Sequence, residues 1–264
     1  MQNENKRITI GVLASGILDD TTKTVCKGIR RAAKQLNVNI MVFPGKNLDR
    51  DFSDSPELMY EYQFNTIFSY VKKGNVDAIL ALAGSIGCFT SMENIKNMLD
   101  QYAVPCVLIA SKIAGYVSVM YDNKAGVKEG MEYLIREVNC KKIGMIGGND
   151  MNVDSVERKE AFYEVMEKYA LDVPKECYIE GDLTRRSKSV FARFLDQNPD
   201  LDAVFCVNDD TAIGLCDALK ARNLQPGKDI SVFGFDDIVA AAKVNPPLAS
   251  VRADAANLGE SALK

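Results

Sequence analysis

The sequence contains no histidine and no tryptophan among its 264 residues. The absence of histidine excludes Ser-His-Asp and Cys-His nucleophile arrangements, a histidine proton shuttle and any metal site with an imidazole ligand. Chemistry based on carboxylates, lysine or a bound cofactor remains open. We therefore expect a binding protein rather than an enzyme, with no metal and no cofactor.

The chain also lacks an apolar leader and a membrane-length apolar run. Its start is polar and leads directly into the predicted strand Ile8–Leu13, and no run approaches the roughly 18 apolar residues of a membrane span. The seven cysteines form no C-x-x-C pair, which fits a reducing compartment better than secretion. A net charge of −4 speaks against nucleic-acid contact, because such domains normally carry a basic footprint. The sequence therefore predicts a cytoplasmic segment that contacts neither membrane nor nucleic acid.

Short apolar runs alternate with amphipathic helical patterns along the chain. Near-continuous apolar strands separated by helices are typical of parallel sheets with helices on both faces, so we predict an α/β fold. The predicted strands are Ile8–Leu13, Ile40–Phe43, Ala78–Leu82, Cys106–Ile109, Val117–Met120, Lys142–Ile146, Ala203–Val207 and Ile230–Phe233. The predicted helices are Thr22–Leu36, Met59–Lys73, Met92–Gln101, Gly126–Val138, Val156–Tyr169, Ser187–Asp196 and Thr211–Arg222.

One connection between predicted strands is too short for a helix. The segment 110–116 separates two of them, whereas parallel neighbours normally need a crossover of about a dozen residues or more. The chain should therefore reverse or change sheets, which places a lobe boundary near Lys112. With an extended return over Pro246–Arg252, we predict one lobe of residues 7–111 plus 253–264 and another of residues 112–252.

Polar residues directly follow two predicted strands. Asn208–Asp210 follows one strand, and Asp236–Asp237 follows the next one along the chain. Open α/β sheets hold ligands at the carboxyl ends of their strands. We expect Asp209 or Asp210 to cap the following helix. Adjacent carboxylates could hold Mg²⁺, but a cap plus one ligand-facing acid is the simpler interpretation.

Six segments occur in a characteristic order: Tyr121–Gly126, Lys141–Asn149, Arg158–Phe162, Ala203–Gly214, Ile230–Asp237 and Asn245–Arg252. In this combination they resemble the lac repressor family and its periplasmic sugar-binding relatives, over about residues 7 to 264. The resemblance implies a two-lobed, periplasmic-binding-protein-like clamshell in which each lobe is a mostly parallel sheet with helices on both faces. It also implies that a small polar ligand binds between the lobes.

The resemblance further implies which residues contact the ligand. Three of them suit this role chemically: Arg158 offers a rigid fork of donors, Asp236 two acceptors and Asn208 both, a set suited to hydroxyl-rich or anionic molecules such as sugars or nucleosides. A simple sugar is less expected, because sugar-binding relatives often have an acid and an arginine at Ala110 and Ser111. The full implied set is Ser15, Asp20, Thr22, Ser85, Ser111, Tyr121, Arg158, Leu183, Asn208, Asp236 and Ala253.

Within the family, segments 61–70, 75–79 and 84–91 look closest to sensor modules fused to bacterial diguanylate cyclases and histidine kinases. The main function predicted is therefore a cytoplasmic small-molecule sensor that signals to an output domain outside this chain. One alternative is the effector-binding core of a lac-repressor-family transcription regulator without its DNA-binding domain. Others are the solute-binding protein of an importer and an enzyme of doubly wound fold.

Two further expectations concern surfaces and stability. Met59–Tyr70 carries more large apolar residues than one core-facing stripe needs, which with the resemblance predicts a side-by-side homodimer; burial within its own lobe is the alternative. Arg158 and Asp236 occupy positions that helix or sheet stability does not explain. We expect both to contact ligand and to add little to folding, with a salt bridge between them as the alternative.

Overall fold

The computed structural model describes residues 7–52 and 56–264. All strand pairings in its two sheets are parallel, and helices lie between the strands along the chain, which confirms the predicted α/β class. The strands are β1 (Thr9–Ser15), β2 (Asn39–Gly45), β3 (Ala78–Ala81), β4 (Cys106–Ile109), β5 (Val117–Val119), β6 (Ile143–Gly147), β7 (Tyr178–Glu180), β8 (Ala203–Cys206), β9 (Ser231–Phe235) and β10 (Ala249–Val251). The α-helices are α1 (Asp20–Leu36), α2 (Ala83–Ile86), α3 (Met92–Asp100), α4 (Asn123–Arg136), α5 (Val153–Lys168), α6 (Lys188–Gln197), α7 (Asp209–Ala221) and α8 (Ala255–Leu263).

The described residues divide into two compact units. Unit 1 contains the residues up to Tyr121 together with Met151–Val153 and Asp254–Lys264, and unit 2 contains Asp122–Asp150 and Asp154–Ala253. Unit 1 holds the five-stranded sheet β2-β1-β3-β4-β5, and unit 2 holds the five-stranded sheet β10-β9-β8-β6-β7. In the ranges that the structure describes, no helix is long and apolar enough to cross a bilayer.

The sheet of unit 1 is buried on both faces. Leu13 of β1 belongs to a core cluster that includes Leu108, whereas its neighbour Val12 belongs to a second cluster that includes Ile29 and Leu258. Successive side chains of a strand point to opposite faces, so an uninterrupted apolar run places one core on each side of the sheet.

The sheet break expected near Lys112 does not occur. Strand β5 lies beside β4 in the same sheet and runs parallel to it, with Leu108 opposite Ser118. The chain returns within 110–116 because Ala110 and Gly115 adopt left-handed backbone angles, with φ of 56° and 90°. The lobe boundary expected near Lys112 depended on that break and loses its support.

The segment predicted as a helix over Met59–Lys73 forms a 3-10 helix over Glu61–Tyr70 instead. Its aromatic and β-branched residues have low α-helix propensity. Two polar contacts also join the segment to Lys46, the residue after β2, because Asn65 Oδ1 accepts from the Lys46 backbone nitrogen at 2.7 Å and Lys46 Nζ lies 2.9 Å from Glu61 Oε1. Phe68 is buried in the unit 1 core.

The sheet of unit 2 brings several loops to one edge. Parallel strands all end on the same side, so the residues after β6, β8 and β9 share the carboxyl edge of this sheet. Helix α7 begins directly after β8, and α5 begins shortly after β6. The polar residues that the sequence places after β8 and β9 therefore lie on the edge from which α5 and α7 start.

Helices α1 and α8 of unit 1 pack backbone against backbone. A Cβ added to Gly28 would lie 1.8 Å from the carbonyl oxygen of Ala256, and one added to Gly259 would lie 2.2 Å from the carbonyl oxygen of Val25. Both contacts are to main-chain atoms, which cannot rotate away. Glycine at these two positions therefore permits the close approach.

We predict that Gly28→Ala lowers the free energy of unfolding by about 1–3 kcal/mol, although alanine favours helix, because the methyl group separates two packed backbones. Urea unfolding measures the change. Gly181→Ala is the control, since a Cβ there meets atoms no closer than 3.4 Å. Equal losses in the two variants would contradict the close approach of α1 and α8.

Candidate functional site

A buried arginine occupies the carboxyl edge of the unit 2 sheet. Arg158 lies on α5 and is 5% exposed. Its Nε donates to Asn123 Oδ1 at 2.9 Å, and its Nη1 donates to the carbonyl oxygen of Val207 at 2.8 Å. Its Nη2 lies 3.5 Å from Asp236 Oδ1, and its guanidinium carbon is 3.7 Å from the centre of the Phe235 ring. All three guanidinium nitrogens thus have partners within unit 2.

These contacts correct the expectation that Arg158 adds little to folding. Removing its side chain would leave Asn123, which is 1% exposed, and the carbonyl of Val207 without their donor. An unsatisfied buried polar group costs about 1–3 kcal/mol. The ion pair with Asp236, considered above as the alternative, is present at 3.5 Å. Arg158 is therefore a structural residue of the edge, and its contact with a ligand stays a prediction.

Asp236 is the more open partner of this pair. It follows β9 with a φ of 108°, which is uncommon for a residue with a side chain, and that side chain is 17% exposed. Burial raises the pKa of Asp236 to about 7, the charge of Arg158 opposes this rise, and the carboxylates of Asp209, Asp154 and Asp210 add to it. Near neutral pH, Asp236 can therefore either donate or accept a hydrogen bond.

Asn123, the first residue of α4, connects the arginine to two acids that the sequence reasoning did not single out. Its Nδ2 donates to Asp154 Oδ1 at 2.8 Å and to Glu157 Oε2 at 2.7 Å. Both acids lie in the first turns of α5, and burial raises the pKa of Asp154. Asp154 stands four residues before Arg158, a spacing that puts two side chains on the same helix face, so a signal for it was present.

Asn208 caps α7, which corrects the prediction that Asp209 or Asp210 does so. Its Oδ1 accepts from the Thr211 backbone nitrogen at 2.9 Å, and its Nδ2 donates to the carbonyl oxygen of Leu183 at 3.0 Å. Leu183 has a φ of 65° and packs, with Ala253, against the unit 2 core cluster that includes Phe235. The amide of Asn208 is therefore fixed by backbone on both sides.

Asp209 forms hydrogen bonds that join the start of α7 to β10 and to the residues after β9. It is fully buried, its Oδ1 accepts from Ser250 Oγ at 2.6 Å, and its Oδ2 accepts from the Ile238 backbone nitrogen at 2.9 Å. Burial raises the pKa of Asp209 to about 6. Asp210 instead pairs with Arg185. In the part of the chain that the structure describes, no group of three or more Cys, Asp or Glu is arranged to hold a metal ion.

The first three residues expected to contact ligand in unit 1 lie where β1 meets α1. Ser15 ends β1 and is 2% exposed, and its carbonyl oxygen accepts from Thr22 Oγ1 at 3.2 Å. Asp20 is the first residue of α1, with its Oδ1 3.5 Å from Lys23 Nζ. The Thr22 hydroxyl thus joins α1 to the end of β1 by a hydrogen bond.

The remaining three follow β3, β4 and β5. Ser85 Oγ donates to the carbonyl oxygen of Leu82 at 3.1 Å, and the fully buried Ser111 donates through Oγ to Met92 Sδ at 3.2 Å. Tyr121 packs against one of the unit 1 core clusters. All six expected residues of unit 1 therefore belong to the carboxyl edge of its sheet, and their contact with a ligand stays a prediction.

Comparison with known proteins identifies a matching family and several similar folds. A family model described as a periplasmic binding protein-like domain matches residues 132–264. Among solved structures, a complex of the transcriptional regulator CelR with cellobiose has a TM-score of 0.81 at 22% identity, over 97% of this chain and 76% of that chain. A LacI family transcriptional regulator from Mycobacterium smegmatis has a TM-score of 0.80 at 20% identity, over 96% of this chain and 87% of that chain.

Curated relatives of the sequence are transcription regulators. The HTH-type transcriptional regulator RegA of Clostridium saccharobutylicum is 24% identical, over 97% of this chain and 73% of its own length. Catabolite control protein A of Staphylococcus epidermidis is 25% identical, over 92% of this chain and 69% of its own length. These relatives favour the effector-binding core of a regulator, named above as the alternative, over the sensor module of a cyclase or kinase. They are regulators rather than enzymes.

We predict that the free energy of unfolding falls as pH rises from about 5 to 8. Because the folded pKa of Asp236, about 7, lies above its ordinary value of 3.8, the folded state binds a proton that the unfolded state has lost. This contribution is fully present below pH 4 and is lost as pH rises through about 7, with a slope of up to ~1.4 kcal/mol per pH unit. Asp209 acts in the same direction through a pKa of about 6.

Urea unfolding at a series of pH values measures this slope. Asp236→Asn should make it shallower, because the amide does not titrate. Asp200→Asn, at a side chain that is 78% exposed, should leave it unchanged. Identical slopes in wild type and Asp236→Asn would show that Asp236 does not titrate in this range.

Proposed function

Because the chain belongs to the periplasmic binding protein-like domain family, we propose that it is the effector-binding core of a lac-repressor-family transcription regulator. It binds a small polar molecule in the cytoplasm, and a DNA-binding domain outside this chain reads the result. The segment itself contacts neither DNA nor membrane.

The observation that supports this proposal is the arrangement of polar residues at the carboxyl edge of unit 2. Arg158 and Asp236 are paired there at 3.5 Å, and Asn208 begins the neighbouring helix α7. Asp236 is partly exposed, so a hydroxyl-bearing molecule can reach a carboxylate whose guanidinium partner is already in place. Such a set satisfies both donors and acceptors of a ligand. The edge is also where open α/β sheets hold ligands.

The relatives support a small polar effector. CelR, whose solved complex contains cellobiose, is similar in fold over 97% of this chain and 76% of its own chain. We propose a sugar-like or nucleoside-like molecule for this chain, with Leu183, Ala253 and the unit 1 residues at the ends of β1, β3, β4 and β5 as further contacts. A ligand acts on the output domain only through different affinities for two conformations of the protein.

A thermal-shift screen of sugars, nucleosides and amino acids tests this function. A ligand present at 100 times its Kd should add about 2.7 kcal/mol to the free energy of unfolding. Asn208→Ser should abolish this gain, because serine still caps α7 but lacks the amide donor.

Asn75→Ser is the matched control, since Asn75 Nδ2 also donates to a carbonyl oxygen, that of Tyr70, at 2.6 Å in unit 1. This variant should respond to ligand as wild type does. If Asn208→Ser keeps the full gain, the unit 2 edge is not the binding site.

We also propose that a second copy of this chain covers Glu61–Tyr70. Phe68 of this segment is buried, but several large apolar side chains in and beside the segment are exposed. The alternative that all of these apolar side chains are buried within unit 1 is therefore wrong. Exposed apolar groups of this size mark interaction sites. A lac repressor structure described as a dimer is similar in fold, with a TM-score of 0.75. The exposed residues are Met59, Tyr60, Tyr62, Phe64 and Tyr70.

Sedimentation at micromolar concentration should give the mass of a dimer. Phe64→Glu should shift it to a monomer, because a charge replaces a side chain that is 59% exposed and apolar. Val239→Glu, at a residue of unit 2 that is 56% exposed, should remain dimeric. A monomeric wild-type protein, or the same mass for both variants, would contradict a dimer formed through this surface.

A further inference from the structure

The candidate site contains more negative than positive groups. Asp154, Glu157 and Asp236 all lie around Arg158, within unit 2. Among the described residues, Arg158 is the cation whose charge opposes the raised pKa values of Asp154 and Asp236. Asp236 lies 3.5 Å from the guanidinium, whereas Asp154 and Glu157 are linked to it only through Asn123 in the contacts of the described residues.

The link between two of these acids is neutral. Asn123 donates one Nδ2 hydrogen bond to Asp154 and another to Glu157, which accounts for both hydrogens of an amide nitrogen. These carboxyl groups are therefore held beside each other by an uncharged side chain. Like charges kept this close and half-buried repel one another, and a cation between them would relieve the repulsion.

Arg158 is poorly placed to serve an anion. Its Nε, Nη1 and Nη2 already have partners in Asn123, Val207 and Asp236, and one face lies on the Phe235 ring. A phosphate or carboxylate entering here would compete with Asp236 for the guanidinium and would face the other acids. The sequence alone allowed an anionic ligand. The contacts of Arg158 disfavour one.

On the basis of the proposed function, we propose that the effector carries a protonated amine on a hydroxyl-rich body, as an amino sugar does. The amine lies against the carboxylates of Asp154 and Asp236. The hydroxyls form hydrogen bonds with Asn208 and with oxygen atoms of the edge that can still accept one. Burial raises the pKa of both acids, and a cation bound beside them would favour their ionised forms. Asp154 is then the residue that selects amines over neutral sugars.

Compounds matched in size but not in charge test the proposal. Thermal shift and calorimetry compare glucosamine, galactosamine and mannosamine with their neutral parent hexoses and with the corresponding hexose 6-phosphates, at pH 7.5. The binders should belong to the amine set, and Asp154→Asn should weaken them by at least about tenfold, because the charge partner of the amine is lost. Asn keeps an acceptor for Asn123, so the variant should fold, and Glu157→Gln provides a second test of the same effect.

Asp200→Asn removes an exposed acid as a control and should leave the Kd unchanged. A neutral hexose or a phosphate that binds at least as tightly as its amine counterpart would overturn the amine class while leaving the proposed function intact. An amine whose Kd is the same in wild type and Asp154→Asn would show that Asp154 does not bind the amine. Binding by none of the compounds, together with no hit among sugars, nucleosides and amino acids, would contradict the proposed function as well.

Discussion

The buried guanidinium of Arg158 is the constraint on which the carboxyl edge of unit 2 depends. It ties the first residue of α4, the end of β8 and the end of β9 together through Asn123, Val207 and Asp236. Arginine stays protonated in proteins, so a permanent positive charge lies beneath this edge. Asn123 and Asp236 contact that charge directly, and Asp154 and Glu157 are linked to it through Asn123.

Contacts within unit 2 hold the side chains of this edge in place. Asn208 is held between the Thr211 nitrogen and the Leu183 carbonyl, and the buried Asp209 joins the start of α7 to Ser250 and Ile238. A binding site whose side chains are already fixed loses less conformational entropy when a ligand arrives. The same contacts make the residues structural, which is why a substitution at Arg158 cannot separate binding from folding.

Most of the fold could be predicted from the sequence, because buried parallel strands are short apolar runs between amphipathic helices. The errors came from tertiary context. Left-handed Ala110 and Gly115 allow a crossover shorter than parallel strands normally use. The 3-10 segment Glu61–Tyr70 is joined to Lys46, the residue after β2. At the site, the motifs indicated Arg158, Asn208 and Asp236. The role of Asn123 depends on α4 and α5 meeting in space, which no local pattern contains. Asp154 did leave a local signal, because it stands four residues before Arg158 on the same helix.

The central claim is that a ligand binds at the edge organised by Arg158. Arginine-selective ¹⁵N labelling gives a side-chain Nε–H signal that Arg158→Lys assigns by its disappearance. Because this hydrogen is buried and bonded to Asn123, the signal should exchange slowly with solvent. When a stabilising ligand is added, it should shift in proportion to occupancy, while the signals of the exposed Arg185 and Arg252 stay in place. A ligand that stabilises the protein and leaves the Arg158 signal unmoved would contradict the account.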